Sequence, residues 1–192
     1  MIRIIKIIKT ELQVPEPLVL DEVKEHLNIM DDDNNDKLEK LIPRCRLIIE
    51  NYCNISIVQK RIVLVAEFYG WWQELPYPPV ITIEAVETPE SSIGSLATYK
   101  TLETGWQSEG DQFMAGVLNE WWPDDHYARF GYPKNCQRIK ITYTVGMNEV
   151  PEDLKLGILN EISYRYTHLG DNETVISEEA KRIVQPYMKL WL

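Results

Sequence analysis

The spacing of apolar residues changes character twice along the chain. Leu20, Val23 and Leu27 fall at i, i+3 and i+7, with Asp21, Glu22, Lys24 and Glu25 between them, which predicts a short amphipathic helix over 20–29. Pro15 and Pro17 hold 14–18 extended ahead of it, because proline fixes its own φ and biases its predecessor away from the α region. A second helix is predicted over 36–52, with Leu38, Leu41, Ile42, Cys45, Ile48, Ile49 and Tyr52 as a wide apolar stripe. Pro43 interrupts it and should kink it, while Asp36 and Glu39 are spaced as a capping box. From Ile57 the pattern alternates. Strands are expected at 61–68 and 80–86, separated by the turn-forming Tyr77-Pro78-Pro79, with weaker ones at 99–102 and 117–121. The cleanest alternation is 138–145, which Gly146 ends.

Helical spacing returns after Pro151. Leu154, Ile158, Ile162, Tyr166 and Leu169 follow one face, and Gly170 closes the run. A last helix is expected from the N-cap Ser177, with Glu178 and Glu179 at the positive end of its dipole. It carries Ile183, Val184, Tyr187, Met188 and Trp191, bulky groups that either complete the core or dock onto a partner. The predicted class is α+β: a predominantly helical bundle of N- and C-terminal helices with a small inserted antiparallel sheet. As a single domain of 192 residues, the chain divides into an extended arm and two helices (1–56), a β insertion (57–147) and C-terminal helices (148–192). Within the insertion, 103–136 reads as a long irregular segment holding Trp106, Trp121, Trp122 and Tyr127.

Composition narrows the function. Hydrophobic residues make up 44% and charged residues 26%, a globular mixture, and no apolar run approaches a membrane helix. Lys and Arg interrupt the opening Met1–Lys9 stretch and no small-residue cleavage site follows, so it does not read as a signal peptide and a cytoplasmic origin is expected. A net charge of −10 disfavours binding to phosphate backbones or anionic lipid. Cys45, Cys53 and Cys136 form no even disulfide set, and the first two read as small apolar helix residues. Asp31, Asp33 and Asn35 imitate the start of a calcium loop, but Asp36 stands where glycine is needed and Ile42 where the bidentate glutamate belongs. An acidic loop is the expected reading. No nucleophile elbow, P-loop or dinucleotide fingerprint occurs, and no cofactor, metal site or catalytic set is assigned.

The order of these elements resembles the head–tail connector (adaptor) proteins of long-tailed phages. The likeness rests on Pro17-Leu-Val-Leu-Asp-Glu-Val-Lys-Glu-His-Leu27 as an opening helix and on the helix 36–52. It continues in the proline-punctuated strand from Leu75 to Glu84, the strand-to-helix junction from Ile141 through Lys155, and Ile183-Val-Gln-Pro-Tyr187. Val19 replaces the usual Ser or Thr cap, Pro43 interrupts the second helix, and the Trp-rich segment is longer than usual. The resemblance implies a non-enzymatic subunit of a homo-oligomeric ring, a dodecamer by family habit, under the portal of a virion. It would assemble in the host cytoplasm. The ring's partners would be the portal protein and a downstream connector or tail-completion protein, and DNA would pass through without specific binding. It also implies portal docking by the C-terminal helix, which here means Ile183, Val184, Tyr187, Met188 and Trp191.

Physical argument adds two further candidates. A channel that lets DNA slide should repel phosphate, so Asp31, Asp32, Asp33, Asp124 and Asp125 are candidates to line it. Tryptophan enrichment at interfaces makes Trp106, Trp121 and Trp122 candidate subunit contacts. Two other readings compete. The Trp-rich insertion could serve a carbohydrate- or other ligand-binding module. Asp124, Asp125 and His126 could hold a divalent ion in a metal-dependent enzyme, although adjacent residues rarely converge on one ion.

Overall fold

In the computed structural model, residues 2–68, 73–89, 99–101, 106–109, 112–115, 137–168 and 176–189 are described. They form two compact units, 1–12 with 60–145 and 13–59 with 146–192. The class is α+β.

The first unit is built on a five-stranded antiparallel sheet of order β1-β2-β8-β4-β5. Its strands are β1 (Ile2–Glu11), β2 (Lys60–Phe68), β4 (Val80–Pro89), β5 (Tyr99–Thr101) and β8 (Gln137–Val145). A second sheet joins β3 (Gln73–Glu74), β7 (Gln112–Ala115) and β6 (Trp106–Glu109), in that order. Alternation puts Ile62, Leu64, Ala66, Val86, Ile139, Ile141, Tyr143 and Val145 on one face, where they bury with Leu75. The Tyr143 hydroxyl donates to the Pro76 carbonyl at 3.1 Å, which satisfies its polar end inside this core.

Two features depart from the expectation. The opening stretch, read as part of an extended arm, is a ten-residue strand paired along its length with β2. Its isoleucines stand at 2, 4, 5, 7 and 8, with adjacent pairs that break strict alternation and hide the strand period. The pairing register shifts between Ile4 and Lys6, and that bulge lets Ile4 and Ile7 lie opposite the core residues Ala66 and Leu64. The second departure lies in the segment read as irregular. There Glu109 pairs with Gln112 and Trp106 with Ala115, so two antiparallel strands stand in that segment. The strand expected at 117–121 lies outside the described residues.

The second unit contains α1 (Leu20–Leu27), α2 (Asn35–Cys53), α3 (Glu152–Thr167) and α4 (Glu178–Val184), followed by a 3-10 turn at Gln185–Tyr187. One core draws on all four helices, with Val23, Leu38, Cys45, Ile49, Leu154, Ile158, Ala180 and Val184 completely enclosed. The Val19 side chain has no acceptor to offer as an N-cap, although its carbonyl accepts the Val23 N–H at 3.3 Å. Half of the capping box survives all the same, because its N–H donates to Glu22 Oε2 at 2.9 Å. α2 runs unbroken through Pro43, and its N-cap is Asn34 rather than Asp36. Burial pushes the Cys45 thiol up to about 12 and the Cys53 thiol to about 11, so both behave as small apolar groups.

Charged groups are buried in this core as well. Arg46 and Glu50, at i and i+4 on α2, are 1% and 2% exposed. Arg46 Nη1 donates to Glu50 Oε2 at 2.9 Å, and its Nε and Nη2 grip both oxygens of Glu16 at 2.7 and 3.0 Å. The other oxygen of Glu50 accepts the N–H groups of Ile57 and Val58 at 2.7 and 3.3 Å. Glu161 does a similar job from α3, accepting from Arg165 Nε at 2.6 Å and from the Ser177 N–H at 2.8 Å.

Two glycines are required. Gly146 has φ +125°, and a Cβ there would stand 2.7 Å from Gln59 Cα and the Val58 carbonyl oxygen. Gly157 lets α3 approach α4, since a Cβ there would meet Val184 Cγ1 at 2.5 Å.

Glu50→Ala is expected to cost about 1–3 kcal/mol in urea unfolding, because it removes the acceptor of the Ile57 and Val58 N–H groups and of Arg46 Nη1, while Glu16 still pairs with Arg46. A loss under 1 kcal/mol would contradict the anchoring role. Gly157→Ala gains about 1 kcal/mol of helix propensity but over-packs against a stiff, buried valine, so it should destabilise the native chain. In a Val184→Ala background the same change should stabilise instead. A double-mutant cycle without that sign reversal would contradict the close packing.

Candidate interaction surfaces

The C-terminal candidates begin at a well-capped helix. Ser177 Oγ accepts from the Ala180 N–H at 3.3 Å, and Glu178 pairs with Lys181 on the solvent side. Ala180 and Val184 face inward and are fully enclosed. Val184 is therefore a core residue, and its side chain offers no surface to a partner. Tyr187 is half-buried against the same core, while Ile183 and Met188 are also half-exposed. The chain is then tied back to the end of α2, with the Lys189 N–H donating to the Cys53 carbonyl at 2.8 Å and Asn54 Nδ2 to the Lys189 carbonyl at 3.3 Å. Trp191 lies outside the described residues.

The acidic loop between α1 and α2 is solvent-facing, with Asp31, Asp32 and Asp33 all exposed. Asp32 Oδ1 accepts from Lys24 Nζ at 2.6 Å and from Asn35 Nδ2 at 3.0 Å. The bond from Lys24, then that from Asn35, holds the Asp32 carboxyl below its usual range. Asp31 Oδ1 accepts the Asp33 N–H at 3.3 Å, a local turn contact. Among the described residues no group of three His, Cys, Asp or Glu side chains is placed to hold a metal ion. Asp124, Asp125, His126, Trp121 and Trp122 lie outside the described residues, and for Trp106 only the backbone is described, in β6.

Two surfaces were not singled out from the sequence. One is the outward face of the five-stranded sheet and its β1 edge. Cross-strand ion pairs run along this face: Arg3 and Arg138 each reach Glu67 at 3.5 Å, Lys140 meets Glu87 at 2.7 Å, and Arg61 meets Glu84 at 2.7 Å. On β1 itself Ile4, Ile5 and Ile8 are 47%, 43% and 45% exposed. The other is a groove of about 460 Å³ between α1 and the start of α3. Leu18, Leu156 and Leu159 supply its apolar lining. Glu22, Glu25 and His26 stand on the α1 side, and Glu152, Asp153 and Lys155 on the α3 side. Residue spacing predicted both helices, but only the tertiary structure brings these two polar faces together.

Residues 17–91 match the family model described as phage gp6-like head-tail connector protein. The resemblance to head–tail connectors holds. The matched stretch of this connector-like chain runs from the start of α1 through β4. Among solved structures, a chain from the neck of an empty GTA particle computed with C6 symmetry is similar at a TM-score of 0.68 and 16% identity, covering 96% of this chain and 97% of that one. A chain from the virion of a native gene transfer agent (GTA) particle gives the same score and identity, covering 96% of each. A chain from the neck of a native GTA particle computed with C12 symmetry scores 0.63 at 16% identity, covering 96% of this chain and 97% of that one. At that identity the likeness is one of fold. No curated protein sequence matches this one.

Lys24→Met is expected to raise the Asp32 pKa toward the ordinary aspartate range in carboxyl-detected NMR titration, with the Asn35 bond still holding it down in part. The sign follows from linkage: a depressed native pKa contributes stability above the unfolded value, and that contribution is lost as pH falls through the native one. The substitution should therefore matter at neutral pH and become silent in acid. An unchanged Asp32 titration would contradict the pairing.

Proposed function

We propose that the protein is a structural head–tail connector subunit, which forms a ring beneath a portal and extends the DNA channel toward the tail. The observation that carries this reading is a coincidence of two independent likenesses. The connector family model matches the α1-to-β4 stretch, and nearly the whole chain shares its fold with chains from a particle neck.

The chemistry is compatible with that role. A net charge of −10 suits a channel wall that duplex DNA must cross without being held, since every phosphate neutralised would add affinity. Asp31, Asp32 and Asp33 are exposed and available for such a wall. Among the described candidates, those left to meet a portal from the C-terminal segment are Ile183, Tyr187 and Met188, half-exposed on a helix and turn that the core holds in place, with Trp191 kept as a candidate beyond them. The tail-facing partner would be a further connector or a tail-completion protein.

The test is assembly of the purified chain with a portal protein from the same source genome, followed by native mass spectrometry and negative-stain microscopy. A closed ring seated on the portal is expected. Chains that remain monomeric in the presence of the portal would overturn the proposal. Within a successful assembly, Ile183→Asp or Met188→Asp should weaken portal docking about tenfold or more, if either is a central contact, while leaving the helical circular dichroism unchanged.

A further inference from the structure

A closed ring requires a heterologous contact, in which one patch of each subunit meets a different, complementary patch of the next. Resting on the connector reading above, we propose that β1 of one copy docks into the α1–α3 groove of its neighbour.

The two surfaces complement each other in charge and in apolar content. β1 carries Arg3, Lys6 and Lys9 and no carboxylate before Glu11, in a chain whose net charge is −10. Arg3 reaches Glu67 and Lys9 Nζ lies over the Tyr77 ring, so Lys6 is the cation that shares the outward face with Ile8. Its register places Lys6 and Ile8 opposite Val65 and Val63, on the face turned away from the sheet core, while Ile4 and Ile5 are exposed along the bulged edge. The groove has the opposite character. Glu22, Glu25 and Asp153 rim it, and Leu18, Leu156 and Leu159 line it, with Leu156 42% exposed. The Lys6 Nζ at the acidic rim and isoleucine side chains on the leucines would satisfy both surfaces at once.

Backbone strand addition along β1 fits less well. A bulge at the edge and lysines on the strand are the usual features that block a further strand. The exposed isoleucines are better matched to a side-chain groove than to another strand's hydrogen-bonding edge. A second copy is the natural occupant, because it brings β1 in equal number to the grooves and at the spacing a ring imposes.

The experiment uses the full chain in its assembled ring, formed alone or on the portal. Ile8→Cys and Leu156→Cys are combined in a Cys136→Ser background, where the native Cys45 and Cys53 thiols are enclosed. A short bis-maleimide should then give a ladder of dimers, trimers and higher multimers. Either single-cysteine variant should stay monomeric, because it has no second thiol across the contact. In parallel, Lys6→Glu and Glu25→Lys should each weaken subunit association about tenfold or more, and their combination should restore it. Rings that form normally but give no ladder and no charge-swap rescue would overturn this inference and leave the connector reading intact. If no ring forms on the portal, both fail together.

Discussion

The helical unit depends on one buried carboxylate. Glu50 sits among apolar side chains at the end of α2, where an unpaired charge would be untenable. It is satisfied on one side by Arg46 and on the other by the N–H groups of Ile57 and Val58, which fixes the path of the chain as it leaves the helix. Arg46 in turn holds Glu16, so the proline-stiffened arm ahead of α1 is fastened to the same point. Glu161 repeats the device on α3 by holding the N–H of Ser177, the residue that caps α4. Three ion pairs thus do more than neutralise charge: they specify where irregular backbone enters and leaves a helical core.

The periodic elements were legible from the residues alone because each buries a single face. Leu38, Leu41, Ile42, Cys45 and Ile49 announce α2, and Ile139, Ile141, Tyr143 and Val145 announce β8. The α4 cap at Ser177 was also readable, since a serine followed by two glutamates has few other uses. β1 was not legible, because a bulge breaks the alternation by which a strand is recognised. Arg46 and Glu50 were equally hidden. Charged residues at i and i+4 ordinarily mark a solvent-facing pair, and only Glu16 and the Ile57–Val58 backbone reveal that these face inward.

The candidate surfaces divide along the same line. A greasy C-terminal segment was evident from composition, but not which of its residues the chain uses for itself. Val184 is consumed by packing against Gly157, whereas Ile183 and Met188 keep part of their surface in water. The acidic loop was visible as a run of aspartates, and its exposure agrees with the solvated reading. The groove needed the fold, because its walls come from residues more than a hundred positions apart in the chain.

Gly146 gives this arrangement one more property. The chain leaves the helical unit near Val58 and returns at Gly146, and these two points touch: the Met147 N–H donates to the Ile57 carbonyl at 3.0 Å, and Lys60 pairs with Val145. The long excursion from 60 to 145 therefore begins and ends at one doorway. A segment closed in this way can be lengthened, shortened or re-ornamented at its far end without shifting either doorpost, because the closure entropy of a loop changes only slowly with its length. Evolution is thus free to tailor what the excursion displays while the helices stay put.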